Sequence, residues 1–323
     1  MKNPTVEPMI GQCPGIVRAM EMAECFAPTS VSMLLVGATG TGKELLARTI
    51  HRSSGRSGRF VDVNCGALPH DLAEGLLFGH RRGAYTGAFE TVAGLVEAAI
   101  GGTLFLDELE SLPPASQVKL LRVLESGEVR RLGEAEKRAV DFRVVATAKD
   151  DLRARIQSGA FRLDLFQRVA GVVVELPRLR DRGSDIVVLA ERFARCLGRG
   201  LQLGTETVIT NYAWPGNVRE LRSAVERAVV LTNGSGISPA AFAEAIAMGT
   251  PPTCQDIGGA SDCDGGGNGD LDRRRLISVL SSNGWHGGRT AEALGIGRTT
   301  LFRKLKRMGI SLSRCRRGYQ EYQ

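Results

Sequence analysis

One eight-residue stretch constrains the fold more than any other: Gly37-Ala38-Thr39-Gly40-Thr41-Gly42-Lys43-Glu44. It follows the apolar run Val31–Val36 (VSMLLV) and precedes the amphipathic segment 43–52. Short apolar runs rich in branched side chains read as buried strands, and a strand, a glycine-rich loop and a helix in that order build a phosphate cradle. Glycine lets the backbone wrap closely round an anion, and successive N–H groups at a helix N-terminus bind it. The whole loop, Gly37 to Glu44, is therefore the candidate nucleotide-binding segment, with Lys43 reaching the terminal phosphates of ATP. The general pattern has Ser or Thr after the lysine; here the residue is Glu44.

A second motif, Gly101-Gly102-Thr103-Leu104-Phe105-Leu106-Asp107-Glu108, ends four apolar residues in two acids. Carboxylates at the C-terminal end of a buried parallel strand sit where ligands of such sheets bind. Asp107 is the candidate Mg²⁺ ligand and Glu108 the candidate group that orients and polarises an attacking water. Further apolar runs at 60–63, 143–147 and 172–176 alternate with helical periods, such as 116–125. That alternation predicts an α/β body with a mostly parallel sheet. From Asp185 the pattern reads as helical throughout, over 187–197, 205–212, 218–231 and 239–248.

Four segments follow from this reading: an α/β core over 1–183, a helical lid over 184–248, a linker over 249–270 and a tail domain over 271–323. The linker holds seven glycines, two adjacent prolines and four acidic residues, a composition that cannot bury enough surface to order itself. Charge is just as uneven. The tail carries 12 Lys and Arg against three acids, whereas the preceding residues carry 30 against 32, so the excess behind the net charge of +7 lies in the tail. Basic charge on helical periodicity points to double-stranded DNA. Residues 289–308 read as helix–turn–helix, with Leu301, Leu305 and Met308 inward. Arg298, Thr299, Thr300, Arg303, Lys304, Lys306 and Arg307 are the candidate base and phosphate contacts. No apolar run reaches the roughly 18 residues that span a bilayer. The seven cysteines are scattered, without a C-x-x-C pair, and read as reduced thiols of a cytoplasmic protein.

The hexapeptide Gly83-Ala84-Tyr85-Thr86-Gly87-Ala88 presents one ring and one hydroxyl between glycines. It resembles the GAFTGA loop of sigma-54-dependent transcription activators, the bacterial enhancer-binding proteins. The resemblance extends over roughly 9–248 and 271–310. It implies an AAA+ P-loop NTPase core with a helical lid and a Fis-type helix–turn–helix domain that pairs through its first helix. It further implies ATP and Mg²⁺, assembly into a ring, most simply a homohexamer, and sigma-54 RNA polymerase as the partner of the 83–88 loop. By the same resemblance, Asn64 restrains Glu108, Arg162 and Arg168 stand in the stretch that supplies a neighbour's site with an arginine, and Arg219 in Trp214–Leu221 senses the γ-phosphate. Six residues turn a helix through about 600°, so the two arginines do not share a face.

Two departures carry expectations of their own. The family's sensor Thr-Asn aligns with Ala148-Lys149, so the competing expectation is a DNA-binding regulator with a degenerate ATPase, acting as a repressor or as one subunit of a mixed ring with a paralogue. The matching region begins near Met9, which leaves no room ahead of it in this sequence for a folded sensor. Control is therefore expected from protein level, from a regulatory protein in trans, or from a partner subunit.

Overall fold

The structure, a computed structural model, describes residues 9–149, 151–232, 234 and 236–249. The chain divides into two units, 1–251 and 252–323, and all the described residues belong to the first. The expected tail domain and, beyond Gly249, the expected linker lie outside the described residues.

Helix α1 (Pro14–Phe26) opens the body with a proline in its first turn, where the missing N–H costs nothing. Strand β1 (Met33–Val36) leads into the glycine loop, and α2 (Lys43–Ser53) leaves it. β2 (Phe60–Asn64) is followed by α3 (Ala73–Phe78), by the two-residue strands β3 (Gly79–His80) and β4 (Val92–Ala93), and by α4 (Leu95–Ala98). β5 (Thr103–Asp107), α5 (Pro114–Ser126), the short pair β6 (Glu128–Val129) and β7 (Arg138–Ala139), and β8 (Arg143–Ala148) come next. α6 (Leu152–Gln157), α7 (Leu163–Val169) and β9 (Val172–Glu175) complete the core.

Five of these strands form one all-parallel sheet in the order β2-β5-β8-β1-β9. Parallel sheets are covered on both faces, and β8 accordingly has every residue buried. One apolar cluster, with Leu77, Phe78, Leu104, Leu106, Leu120 and Phe161, covers one face; another, with Ala19, Leu46, Ile50, Phe105 and Val145, covers the other. The alternation Leu104/Phe105/Leu106 along β5 sends neighbours to opposite clusters, as a period of two requires.

The lid holds α8 (Asp185–Cys196), β10 (Gly200–Leu201), α9 (Thr205–Asn211), α10 (Asn217–Leu231), β11 (Gly236–Ile237) and α11 (Pro239–Gly249). β10 and β11 pair in parallel, which corrects the reading of this region as helical throughout. Two-residue strands leave no period to read. Trp214 is buried at the centre of the lid's core, and its indole N–H donates to the Ile209 carbonyl at 2.8 Å. No helix among the described residues is long and apolar enough to cross a membrane.

Candidate functional site

Sheet order brings the two chemical motifs together. β8 lies between β1 and β5, so the C-terminal ends of these three strands face one cleft of about 400 Å³. Thr39, Gly40, Gly42, Lys43 and Glu44 line it from the glycine loop, Asn64, Asp107 and Glu108 from strand ends, and Arg219 from the lid. Gly37, Ala38 and Thr41 complete the loop behind them. The size falls within the usual range for small-molecule sites.

Gly37, Gly40 and Gly42 all take positive φ, at 152°, 78° and 106°. At Gly40 a Cβ would stand 2.3 Å from the Gly216 carbonyl oxygen, so only glycine lets the lid approach this closely. Lys43 Nζ donates to the carbonyls of Gly37 at 2.5 Å and Ala38 at 3.0 Å, and Thr41 Oγ1 donates to Ala38 at 2.9 Å. Glu44 turns to Arg48, pairing at 2.8 Å.

The acidic strand end is held by a residue that the sequence reading left unassigned. Register sets Leu106 opposite Ala146 and so carries Asp107 beside Thr147. Thr147 Oγ1 donates to Asp107 Oδ1 at 2.6 Å and accepts the Glu108 N–H at 3.0 Å. Glu108 itself sits in the left-handed region, φ 54° and ψ 53°, a conformation that costs a non-glycine residue free energy and turns its side chain out of the strand. The signal in the sequence was the one hydroxyl residue within RVVATA, legible only once β8 is known to neighbour β5.

Asn64 does not bond to Glu108. Its Nδ2 donates to Asp107 Oδ2 at 3.4 Å and its Oδ1 accepts the Ala67 N–H at 3.0 Å. The partner of Glu108 is Lys149, whose Nζ lies 2.8 Å from Oε1. In this structure the Glu108 carboxylate is thus held by Lys149, while Asn64 bears on Asp107; a charged donor makes a stronger bond to a carboxylate than an amide does. The hydrogen bond from Lys149 to Glu108 raises the pKa of the ammonium. Two residues after Glu108, Glu110 is buried, neither of its carboxylate oxygens has a hydrogen-bond partner among the described residues, and burial pushes its carboxyl up. Behind the cleft, burial followed by the nearby Asp107 charge pushes the Cys65 thiol up to about 12.

The lid reaches the glycine loop through Asn217, buried and at φ 53°. Its Nδ2 donates to the Thr39 carbonyl at 2.9 Å, and its Oδ1 accepts the Leu179 N–H at 2.8 Å. Val218 N–H donates to Gly40 at 2.9 Å, and Arg182 donates to the Thr41 carbonyl at 2.7 Å. Arg219 thereby stands at the cleft in the first turn of α10.

Arg162 and Arg168 are not brought to this cleft. Arg162 forks onto Asp164 at 2.6 and 3.0 Å, and Arg168 donates to the Leu124 carbonyl at 2.6 Å. The 83–88 loop stands apart as well. Gly83 N–H donates to Ala88 at 2.8 Å and Ala88 N–H to Tyr85 at 3.0 Å, closing the loop between β3 and β4. Gly83 and Gly87 take positive φ. Ala84 rests against Gly133, Tyr85 packs on the His80 ring at 5.1 Å, and Thr86 is exposed.

Residues 9–175 match the family described as Sigma-54 interaction domain. The chain belongs to that family. Residues 180–256 match the AAA+ ATPase lid domain, and 269–308 match the bacterial regulatory proteins of the Fis family, a span that includes Arg298 through Arg307. The body is thus an AAA+ P-loop domain with its lid. The chain is similar to the hydrogenase transcriptional regulatory protein HoxA of Cupriavidus necator, 41% identical over 305 residues that make up 90% of this chain and 63% of HoxA. To the transcriptional regulatory protein ZraR of Escherichia coli K12 it is 40% identical, over 93% of this chain and 68% of ZraR. It spans, then, about two thirds of the length of these relatives. A crystal structure of NtrX from Brucella abortus in complex with ATP superimposes with a TM-score of 0.67 at 32% identity, over 94% of this chain and 70% of NtrX.

The residues of the cleft fit a magnesium-bound nucleotide. Lys43 and Arg219 supply cations, the glycine loop supplies N–H groups, and Asp107 supplies a hard oxygen ligand of the kind Mg²⁺ takes.

Proposed function

We propose that this protein is an ATP-driven activator of sigma-54 RNA polymerase that works from an upstream DNA site. The observation that carries the reading is the junction of Lys43, Asp107, Glu108 and Arg219 in one cleft, within a body that also displays the 83–88 loop. ATP and Mg²⁺ are the ligands that this donor set suits, and NtrX was solved with ATP and with ADP. Bound Mg²⁺ would neutralise phosphate charge, with Asp107 as its protein ligand.

In this reading Thr147 and Asn64 orient the Asp107 carboxylate, and Glu108 accepts a proton from the attacking water. The glycine loop and Lys43 bind the phosphates. Asn217 ties lid position to the Thr39 carbonyl, so closure and phosphate binding move together. Arg162 and Arg168, engaged within their own subunit, would serve a neighbour's cleft only in a ring, of which a hexamer is the simplest form. The 83–88 loop, distinct from the cleft, contacts sigma-54. The Fis-type segment, with Arg298, Thr299, Thr300, Arg303, Lys304, Lys306 and Arg307, anchors the ring on DNA.

A second reading has one observation in its favour: the ion pair of Lys149 with Glu108. It takes the chain as a subunit whose own turnover is weak and which a paralogous partner or a regulatory protein completes. Thr86→Ala tests the main reading. It should hydrolyse ATP at about the wild-type rate, within roughly twofold, yet form no open complexes with sigma-54 polymerase. If both activities survive, the loop is no contact site and the reading fails.

A further inference from the structure

Lys149 stands between two carboxylates of unequal standing. Its Nζ is 2.8 Å from Glu108 Oε1 and 4.0 Å from Glu110 Oε1. Glu108 is about one-third exposed at the cleft, whereas the side chain of Glu110 is 2% exposed and finds no hydrogen-bond partner among the described residues. A buried carboxylate without partners is costly, and an ammonium that moves onto it removes that cost. A shift of about 1 Å would bring Nζ from its present separation to hydrogen-bond distance of Glu110. Both carboxylates belong to one short segment, Glu108–Glu110, whose start Thr147 fixes through the Glu108 N–H. The lysine therefore has two seats on a fixed frame, one that occupies Glu108 and one that releases it.

We propose that Lys149 is a positioning residue that restrains Glu108 and that Glu110 is the second seat to which its ammonium moves when Glu108 is released. While the ion pair holds, the carboxylate oxygen that would take a proton from water is already spent on the ammonium. Once the ammonium moves to Glu110, Glu108 is free to face the cleft. The device accounts for two oddities together: a cation paired with the candidate catalytic carboxylate, and a buried carboxylate without a hydrogen bond beside that cation. It rests on the reading of the cleft as an ATPase and describes how that same site is held in check.

The test is a double-mutant cycle of Lys149→Met and Glu110→Gln in the full chain, read in two ways. Steady-state hydrolysis should show kcat raised about three- to tenfold by Lys149→Met, with KM for ATP within about twofold. Glu110→Gln should lower kcat while the lysine is present, because the second seat is weakened, and change nothing further in the Lys149→Met background. Lys149→Arg should restore the restraint. Without nucleotide, Lys149→Met should lower the melting temperature, and Glu110→Gln in that background should raise it again. A fall in kcat on Lys149→Met, an effect of Glu110→Gln that is the same in both backgrounds, or simple additivity in melting would each overturn the proposal. Failure of the ATPase reading looks different: Lys43→Ala would then match the wild type in turnover, and the melting cycle alone would judge the link between Lys149 and Glu110.

Discussion

The nucleotide cleft and the 83–88 loop are built on opposite plans. The cleft is made by long-range pairing: three parallel strands end side by side, and Thr147 from one fixes the backbone of Glu108 at the end of another. The loop is made locally, by two short hydrogen bonds, two glycines and a two-residue ladder. In the cleft the carboxylates of Asp107 and Glu108 are held by Thr147, Asn64 and Lys149; in the loop Thr86 is exposed. A group that does chemistry must be held, whereas a group that meets a changing partner must be displayed. The difference predicts that substitutions in the cleft act on turnover and fold together, while substitutions in the loop act on partner contact alone.

The strongest attempt to break that contrast is Lys43→Ala. Loss of the cation that reaches the phosphates should lower ATP turnover by about a thousandfold or more, checked by steady-state hydrolysis, and should also lower the melting temperature of the free protein, because the bonds to the Gly37 and Ala38 carbonyls go with it. Next is Thr147→Val, which keeps shape and removes both hydrogen bonds to the acidic strand end. Turnover should fall by roughly ten- to a hundredfold, the equivalent of about 1 to 3 kcal/mol, and the Thr86 loop should be unaffected. Asn217→Ala removes a buried amide that joins the lid to Thr39 and to Leu179. The cost should be about 2 to 3 kcal/mol in stability, read by thermal melting, together with a raised KM for ATP.

The smallest effect sharpens the comparison from the loop side. Arg131, in the segment that backs the loop, forks onto Glu97 with both contacts at 2.7 Å, and that hydrogen bonding holds the Glu97 carboxyl below its usual value. A depressed folded pKa stabilises the fold above the unfolded value of 4.5 and loses that contribution as the pH falls through the folded pKa. Glu97→Gln should therefore lower the melting temperature slightly at neutral pH and converge with the wild type under acid conditions. Turnover at neutral pH should stay near the wild-type rate.

Most of the framework was legible because it is written locally. The glycine loop, the Leu104–Glu108 run and the 83–88 hexapeptide each declare themselves within eight residues. The strands did so too, the central β1, β5 and β8 most plainly, since strands covered on both faces read as apolar runs. The pieces that escaped are pairings across distance. Nothing in RVVATA says that Thr147 will face Asp107, because strand order is not encoded in either strand alone. Nothing in the Trp214–Leu221 motif separates Asn217, which bears on the glycine loop, from Arg219, which lines the cleft. Asn64 was given to Glu108 by the family resemblance; that Lys149, just beyond β8, pairs with the same carboxylate could not be read from either segment alone. The short pairs β3–β4, β6–β7 and β10–β11 have two residues a strand, too few for any period to show.

The central claim, that hydrolysis in the cleft is spent on opening a promoter, is tested most directly by open-complex formation with purified sigma-54 RNA polymerase on a promoter that this chain binds. Wild-type protein should yield open complexes with ATP and none with a non-hydrolysable analogue, and Glu108→Gln should bind ATP yet yield none. Open complexes formed with the analogue, or formed equally by Glu108→Gln, would contradict the account.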